Sequence, residues 1–308
     1  MTFLPEPLAA LLQELDNEGY AFTTVTPATH ARLLARRKGE AAQDLRDVFG
    51  WNLDFARDLL PGDLVGLLEE GGALERRGDR LRSLVRVASL GGRLFLHSGF
   101  PTDAADSVFF GPDSYRFARF VESAAAELAP PRTLVDLGAG TGPGGIIAAG
   151  LLEPEAVTLL DINPAALALA EANALAAGVE VETKRGGLDQ VEGEIDLLIA
   201  NPPFMADPAG RDYRDGGGML GTGLSLDWAR QALGRLSDGG AMLLYTGSPI
   251  VAGEDRLLDA LAELAGEHDA QLRYEEIDPD IFGEELDQPA YAEAGVERIA
   301  AVGAILRR

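Results

Sequence analysis

The residues best placed to do chemistry are Asn201-Pro202-Pro203-Phe204, which follow directly on the apolar run Leu197-Leu198-Ile199. Each proline fixes φ and removes an N–H donor. A residue before proline is also held extended. The expected result is a stiff corner at a strand end, where the free polar groups are the Asn201 amide and the carbonyl of Asn201 or Pro202. Phe204 stands beside them. Two acceptors and an aromatic plate suit a planar N–H₂ group, such as a nucleobase amine or a carboxamide. The same residues would also serve as a plain turn with a packed Phe, so what lies upstream decides between the two.

Upstream, Thr133-Leu-Val-Asp136-Leu-Gly138-Ala139-Gly140-Thr141-Gly142-Pro-Gly-Gly145 runs from an apolar strand through glycines into a helix. Glycines let the backbone approach a ligand and leave N–H groups aimed from a helix N-terminus. The next strand ends in Asp161, with Ile162 after it and Asn163-Pro164 set to cap and open a helix. An acid about 20 residues beyond a glycine turn is where ribose hydroxyls are held in doubly wound folds. Counted from Gly138, the dinucleotide pattern G-x-G-x-x-G fails at Pro143, whereas counted from Gly140 it passes through Gly142 and Gly145. The glycines alone therefore leave a nicotinamide cofactor open. Asp136, inside the strand, suits a ligand with an amino group better than a pyrophosphate.

Positioning these groups requires a parallel sheet. Strands are expected at 133–137, 156–160, 179–183, 195–200, 241–246, 270–275 and 296–306. Helices are expected at 143–152, 164–177, 223–236 and 254–264. Such alternation predicts a doubly wound, seven-stranded, mostly parallel sheet covered on both faces. The last two strands have no helix between them and should pair antiparallel.

Residues 1–99 read differently. Leu8, Leu11, Leu12 and Leu15 mark an amphipathic helix, and helices are also expected at 28–38, at 41–60 and from Pro61 to Gly71. Three short strands follow at 73–77, 80–90 and 93–98, joined by Gly turns. Helices followed by a small β wing outline a winged-helix-like unit, with a second domain over 100–308. Arg80, Arg82 and Arg86 share a strand parity, and Arg76, Arg77 and Arg93 lie nearby, so the wing could meet phosphates or be a solvated face. The net charge of −24 argues against an all-over nucleic-acid grip. It is uneven: 12 basic against 14 acidic residues before position 101, and 14 against 36 after it. With no cysteine there is no disulfide, thiolate metal site or thiol nucleophile. No apolar run is long enough for a membrane span, and the N-terminus lacks a basic signal region, so a cytoplasmic protein is expected.

Taken together, Val135-Asp136-Leu137-Gly138-Ala139-Gly140-Thr141-Gly142, Leu160-Asp161-Ile162-Asn163 and Asn201-Pro202-Pro203-Phe204 resemble, in that order, three motifs of the class I S-adenosylmethionine-dependent methyltransferases. The resemblance covers about residues 105–308 and implies the Rossmann-like fold of that family. The Asn-Pro-Pro-aromatic tetrapeptide implies an enzyme that methylates adenine N6, guanine N2 or a glutamine side chain. It further implies S-adenosyl-L-methionine as cofactor. Gly138 and Gly140 would line its methionine moiety, with Ala139, Thr141 and Gly142 completing the loop and Asp136 near the ammonium. Asp161 would take the ribose hydroxyls, with Ile162 against adenine and Asn163 beside them, and Asn201 would border the cofactor as well as the acceptor. The family's usual acid after the third strand is missing, since Arg185-Gly186-Gly187-Leu188-Asp189 puts Gly187 and Leu188 there and Asp189 two residues late.

The expectation is thus an N-methyltransferase in which Asn201 and the Pro202 carbonyl accept from the acceptor nitrogen and Phe204 orients its plane. The Arg-bearing wing favours a base amine in RNA, or DNA, over a protein glutamine, with a small-molecule amine third. A nicotinamide-dependent oxidoreductase and a non-catalytic winged-helix regulator are the rivals from other classes. His30, His97 and His268 have no metal-ligand spacing. Arg211–Gly218 reads as a lid-like loop, Glu275–Asp287 as a solvated acidic run, and Phe110 and Tyr115 as residues closing over the cofactor or part of the core.

Overall fold

The computed structural model describes residues 2–102, 104, 106–206 and 215–308. The central sheet is built from β5 (Thr133–Leu137), β6 (Ala156–Asp161), β7 (Glu182–Arg185), β8 (Ile195–Ala200), β9 (Leu236–Val251), β11 (Gln271–Asp278) and β12 (Val296–Arg307). Its order is β11-β12-β9-β8-β5-β6-β7, with a two-residue strand β10 (Glu254–Asp255) paired to β9. The five strands from β9 to β7 are parallel to their neighbours. β12 runs antiparallel to both β9 and β11, as expected, although the connection between β11 and β12 is not helix-free but holds a short helix, Pro289–Ala294. β9 is longer than its apolar stretch suggests, and β7 begins three residues late.

Period-two alternation sends successive side chains to opposite faces. Leu134, Leu197 and Ile199 meet α4 (Pro112–Ala125), α5 (Pro143–Leu152) and α6 (Pro164–Ala177). Val135 and Leu198 meet α7 (Gly223–Leu233) and α8 (Arg256–Glu267). α5 and α6 start where their sequences say, with Pro143 and Pro164 in the first turns and Asn163 Oδ1 accepting the Ala165 N–H at 2.9 Å, whereas α8 begins two residues later than expected because Glu254–Asp255 pair with β9. The chain order reverses between β5 and β8, which opens a crevice at their carboxyl ends, where open α/β sheets bind ligands.

The N-terminal unit holds α1 (Pro5–Asn17), α2 (Pro27–Arg36) and α3 (Gly62–Glu70), then β1 (Leu74–Arg77), β2 (Arg80–Ser83), β3 (Val85–Leu90) and β4 (Arg93–Ser98). The helix expected over 41–60 is reduced to one π-type turn at Arg46–Gly50. Asn52 takes a positive φ of 56°, and Phe55 instead bridges to Leu81 of β2. The strand expected over 80–90 is broken at Leu84, leaving two separate hairpins, β1–β2 and β3–β4. Ser83 explains the break: its hydroxyl donates to the Val85 carbonyl at 2.6 Å, and the Val85 N–H returns to Ser83 Oγ at 3.2 Å. Such local bonds compete with ladder pairing. The winged-helix outline is therefore not reproduced as a three-stranded wing. The first core also runs on into the second unit, since Leu8, Leu11, Leu12 and Leu15 belong to one buried cluster with Ala165, Ala166, Leu169 and Ala172 of α6.

The break at Leu84 also removes the shared face of the hairpin arginines. Arg86 is only 4% exposed, and its Nε donates to the Ser98 carbonyl at 3.0 Å. Arg82 binds Asp54 at 3.1 Å and the Phe100 carbonyl at 2.6 Å. Arg76 pairs with Glu69, and Arg77 with Glu75 and Asp54. Most of the positive charge that suggested phosphate contacts is thus consumed within the fold. No helix among the described residues is long and apolar enough to cross a membrane.

Candidate active site

At the crevice the chain turns sharply after β5. Gly138, Gly140 and Gly142 have φ values of 71°, 57° and 80°, a region costly for residues with a Cβ. A Cβ on Gly138 would also lie 2.5 Å from the Trp228 ring, which closes the loop from α7. The loop is held from several sides. The Ala139 N–H donates to the Leu160 carbonyl at 2.8 Å, and the Gly142 N–H to the Ala139 carbonyl at 2.8 Å. Asn173 of α6 donates to the Thr141 carbonyl at 2.9 Å.

Two carboxylates frame the loop in different ways. Asp136 is 1% exposed, and its Oδ2 accepts the Gly145 N–H at 2.7 Å, pinning the first turn of α5 onto β5. Burial pushes its carboxyl up to about 7; the Gly145 N–H opposes this and the nearby Asp161 charge adds to it. Asp136 is therefore seen first as a clamp on the loop. Asp161 Oδ2 accepts the Gly140 N–H and Oδ1 the Asn163 N–H, both at 2.8 Å. Burial raises its pKa, and these N–H groups oppose the rise. Each Asp161 oxygen keeps acceptor capacity for a hydroxyl.

Ile162, next along, is 54% exposed, an unusual place for a branched aliphatic and a ready apolar plate. Across from it, Asp189 Oδ1 lies 3.3 Å from the Gly187 N–H. The carboxylate two residues late in sequence thus folds back to the position where Gly187 stands, inside the short 3₁₀ turn Leu188–Gln190. Leu188 itself is buried under β5 and β6.

These residues fit S-adenosylmethionine. A carboxylate with free acceptor sites suits a diol, an exposed Ile beside it suits a purine face, and a glycine turn without Cβ atoms lets the backbone come close to a methionine moiety. The Thr141 hydroxyl, buried in this loop, has no partner among the described residues.

Asn201 follows the last residue of β8, where Ala200 registers with Leu137 of β5 and Leu244 of β9. It therefore stands one residue past the strand end beside Gly138. Its side-chain amide has no hydrogen-bond partner among the described residues. Pro202 is buried and Pro203 half-buried. Phe204 corrects an expectation: it is 8% exposed, backed by Gly247 and met edge-on by Phe282 at 5.9 Å, so little of its ring is left for an acceptor to lie against. The cover is tertiary: Gly247 lies on β9, and Phe282 lies between β11 and β12.

Several neighbours carry no sequence motif. Ala206 N–H donates to Tyr291 Oη at 2.8 Å. The Tyr245 hydroxyl, fully buried in the middle of β9, donates to Asp113 Oδ1 at 2.8 Å, and Arg116 joins Asp113 to Asp278. Asp278 and Glu276, from the acidic run, are thus spent on Arg116 and Arg298. Phe110 stacks on His97 at 5.2 Å, and Tyr115 Oη accepts the Thr24 N–H at 2.9 Å, so both join the two units. Of the lid-like loop, residues 211–214 lie outside the described residues. Asn173 had one legible signal, a lone amide in an alanine-rich helix.

Residues 120–246 match the family described as the methyltransferase small domain. Release factor glutamine methyltransferase of Deinococcus radiodurans is 34% identical over 149 residues, 44% of this chain and 53% of that protein. Ribosomal RNA small subunit methyltransferase C of Pseudomonas entomophila is 36% identical over 76 residues, 24% of this chain and 23% of that protein. The chain spans about half the length, or less, of the curated relatives it matches. Among solved structures, Trm5b from Pyrococcus abyssi shares the fold with a TM-score of 0.51 at 18% identity, over 76% of this chain and 62% of that one. Residues 120–246 thus carry a glycine loop, the Asp161 carboxylate and an Asn-Pro-Pro-Phe corner on adjoining strand ends, and this domain is that of the class I S-adenosylmethionine-dependent methyltransferases.

Proposed function

We propose that the protein methylates a planar nitrogen of a macromolecule, and that this nitrogen is the side-chain carboxamide of a protein partner. The observation that carries the reaction type is the Asn201 amide, without a hydrogen-bond partner among the described residues, one residue past β8 and beside the Gly138 loop. An amide nitrogen is a weak nucleophile because its lone pair is delocalised. Asn201 Oδ1 and the Pro202 carbonyl accept its two N–H groups, favour a geometry that frees the pair, and stabilise positive charge as it develops on nitrogen. The cofactor supplies a methyl group on a sulfonium, already a good leaving group. The nitrogen gains the methyl and releases one proton to water, so no dedicated base is needed. The rest of the acceleration is positioning.

What moves the acceptor from RNA to protein is the hairpin, where Arg82 and Arg86 are turned to internal partners and Arg76 and Arg77 are paired with surface carboxylates. Residues 101–308 carry 36 acidic against 14 basic side chains, a surface that repels a phosphate backbone. The Deinococcus relative, named for release-factor glutamine, supports the same reading. A base amine in RNA is the second reading. Arg32, Arg36 and Lys38 on and after α2 are exposed, without ion-pair partners among the described residues, and could grip phosphates.

The test is transfer of label from S-adenosylmethionine into fractionated lysate of cells lacking the protein. Label in protein, recovered as methylglutamine or methylasparagine after enzymatic digestion, is expected. Label confined to RNA, in a reaction whose rate falls steeply with salt, would establish the second reading instead. Asn201→Ala should lower kcat by about 100- to 1,000-fold and leave S-adenosylhomocysteine binding unchanged.

A further inference from the structure

Asn173 is fully buried in the middle of α6, a helix otherwise made of alanine and leucine on its buried side. Asn is a poor mid-helix residue because its amide competes for backbone groups. A buried amide left unpaired is also destabilising. Here every polar atom is used. Oδ1 accepts the Leu96 N–H at 2.8 Å, and Nδ2 donates to the Leu96 carbonyl at 3.2 Å and to the Thr141 carbonyl at 2.9 Å. Leu96 lies on β4, whose sheet has only two strands. The amide therefore acts as a one-residue strand on the free edge of β4 and, with its second hydrogen, takes hold of the cofactor loop.

The Thr141 carbonyl is a sensitive place to hold. It lies between Gly140 and Gly142, both at positive φ, and the N–H of the same peptide group, that of Gly142, is bonded to the Ala139 carbonyl. Fixing both ends of that peptide plane fixes the direction of the loop around Gly140. A second link runs in parallel. The Val108 N–H donates to Ser98 Oγ at 2.7 Å, the buried Arg86 donates to the Ser98 carbonyl, and Val108 lies 3.7 Å from the position a Cβ would take on Gly140. The β3–β4 hairpin is thus linked to the loop at two successive points, through Asn173 and through Val108.

We infer that Asn173 is a positioning residue for cofactor binding, through which the β3–β4 hairpin of the N-terminal unit sets the geometry of the glycine loop. The inference rests on Gly138–Gly142 being the S-adenosylmethionine loop. It makes the N-terminal unit part of the cofactor site and gives an acceptor docked there a route to affinity for the cofactor.

The test uses the full-length protein and S-adenosylhomocysteine titrated by calorimetry at a temperature where circular dichroism shows every variant folded. Asn173→Leu, of similar volume but without polar atoms, should raise the dissociation constant about three- to tenfold. Amide exchange over residues 139–142 should quicken as well. Asn173→Ala is the milder second variant, expected to act in the same direction if the leucine variant fails to fold. Leu169→Ala removes buried volume from the same helix without touching the loop, and should lower Tm with the dissociation constant unchanged. Wild-type affinity in a folded Asn173 variant, or an equal loss in Leu169→Ala, would overturn the inference. Failure of the wild-type protein to bind would instead overturn the cofactor assignment on which it rests.

Discussion

Asp136→Asn isolates one buried proton. In the folded chain the carboxyl has almost no contact with water and titrates near 7, against an ordinary value of 3.8. The folded state therefore holds a proton that the unfolded state has given up between these two values, so stability falls as pH rises from about 4 to about 7 and is level above. One pKa unit is worth about 1.4 kcal/mol. Across pH 5 to 7 the wild-type chain should accordingly lose about 2–3 kcal/mol relative to the asparagine variant, whose Oδ1 can still accept the Gly145 N–H. The measurement is urea unfolding of both proteins, without cofactor, at pH 5, 6, 7 and 8. Taking the difference between the two cancels the pH dependence contributed by the other 49 acidic side chains. The variant should gain on the wild type with rising pH until about 7 and then hold a constant lead. A difference that stays flat would mean that Asp136 is already ionised at pH 5. The Gly145 N–H and the α5 N-terminus would then outweigh burial, and the reasoning would fail.

Two further substitutions test the frame around the site. Gly138→Ala places a Cβ 2.5 Å from Trp228 at a φ of 71°, and should destabilise by more than the roughly 1–2 kcal/mol of left-handed backbone strain alone. Adding Trp228→Ala to Gly138→Ala should relieve the clash but not the strain, and equal stability of the single and double variants would refute that division. Tyr245→Phe removes the 2.8 Å donor to Asp113, which is buried and already raised in pKa by that burial. Unfolding should show a loss of about 1–3 kcal/mol with unchanged S-adenosylhomocysteine affinity, and a neutral result would mean that Arg116 alone satisfies the carboxylate.

The catalytic half was legible because its signals are local. A buried parallel strand must be an unbroken apolar run, a turn at positive φ demands glycine, and a helix opens on Asn163-Pro164. Leu134–Leu137, Gly138–Gly142 and Asp161 can therefore be read one stretch at a time. The Asn201-Pro202-Pro203 corner is equally local, since proline stiffness needs no partner. The cofactor itself follows only from the resemblance of these stretches, taken in order, to the motifs of class I S-adenosylmethionine-dependent methyltransferases.

Only the tertiary structure decided what these groups do to one another. Arg86 and Arg82 look alike on a strand parity count, yet a hydroxyl at Ser83 breaks that strand and turns both inward, which removes the main support for an RNA acceptor. Asp189 falls two residues late in sequence and still reaches Gly187, because a tight turn brings its side chain back. Phe204 was expected as an open plate and is covered by Gly247 and Phe282, from segments 43 and 78 residues away. Asn173 reads as an oddity in an alanine helix until Leu96 and Thr141, 77 and 32 residues distant, come within reach. Sequence alone carries the motifs because backbone stiffness and helix capping act over a few residues. Hydrogen-bond partners and burial depend on which distant segments the packed core brings together.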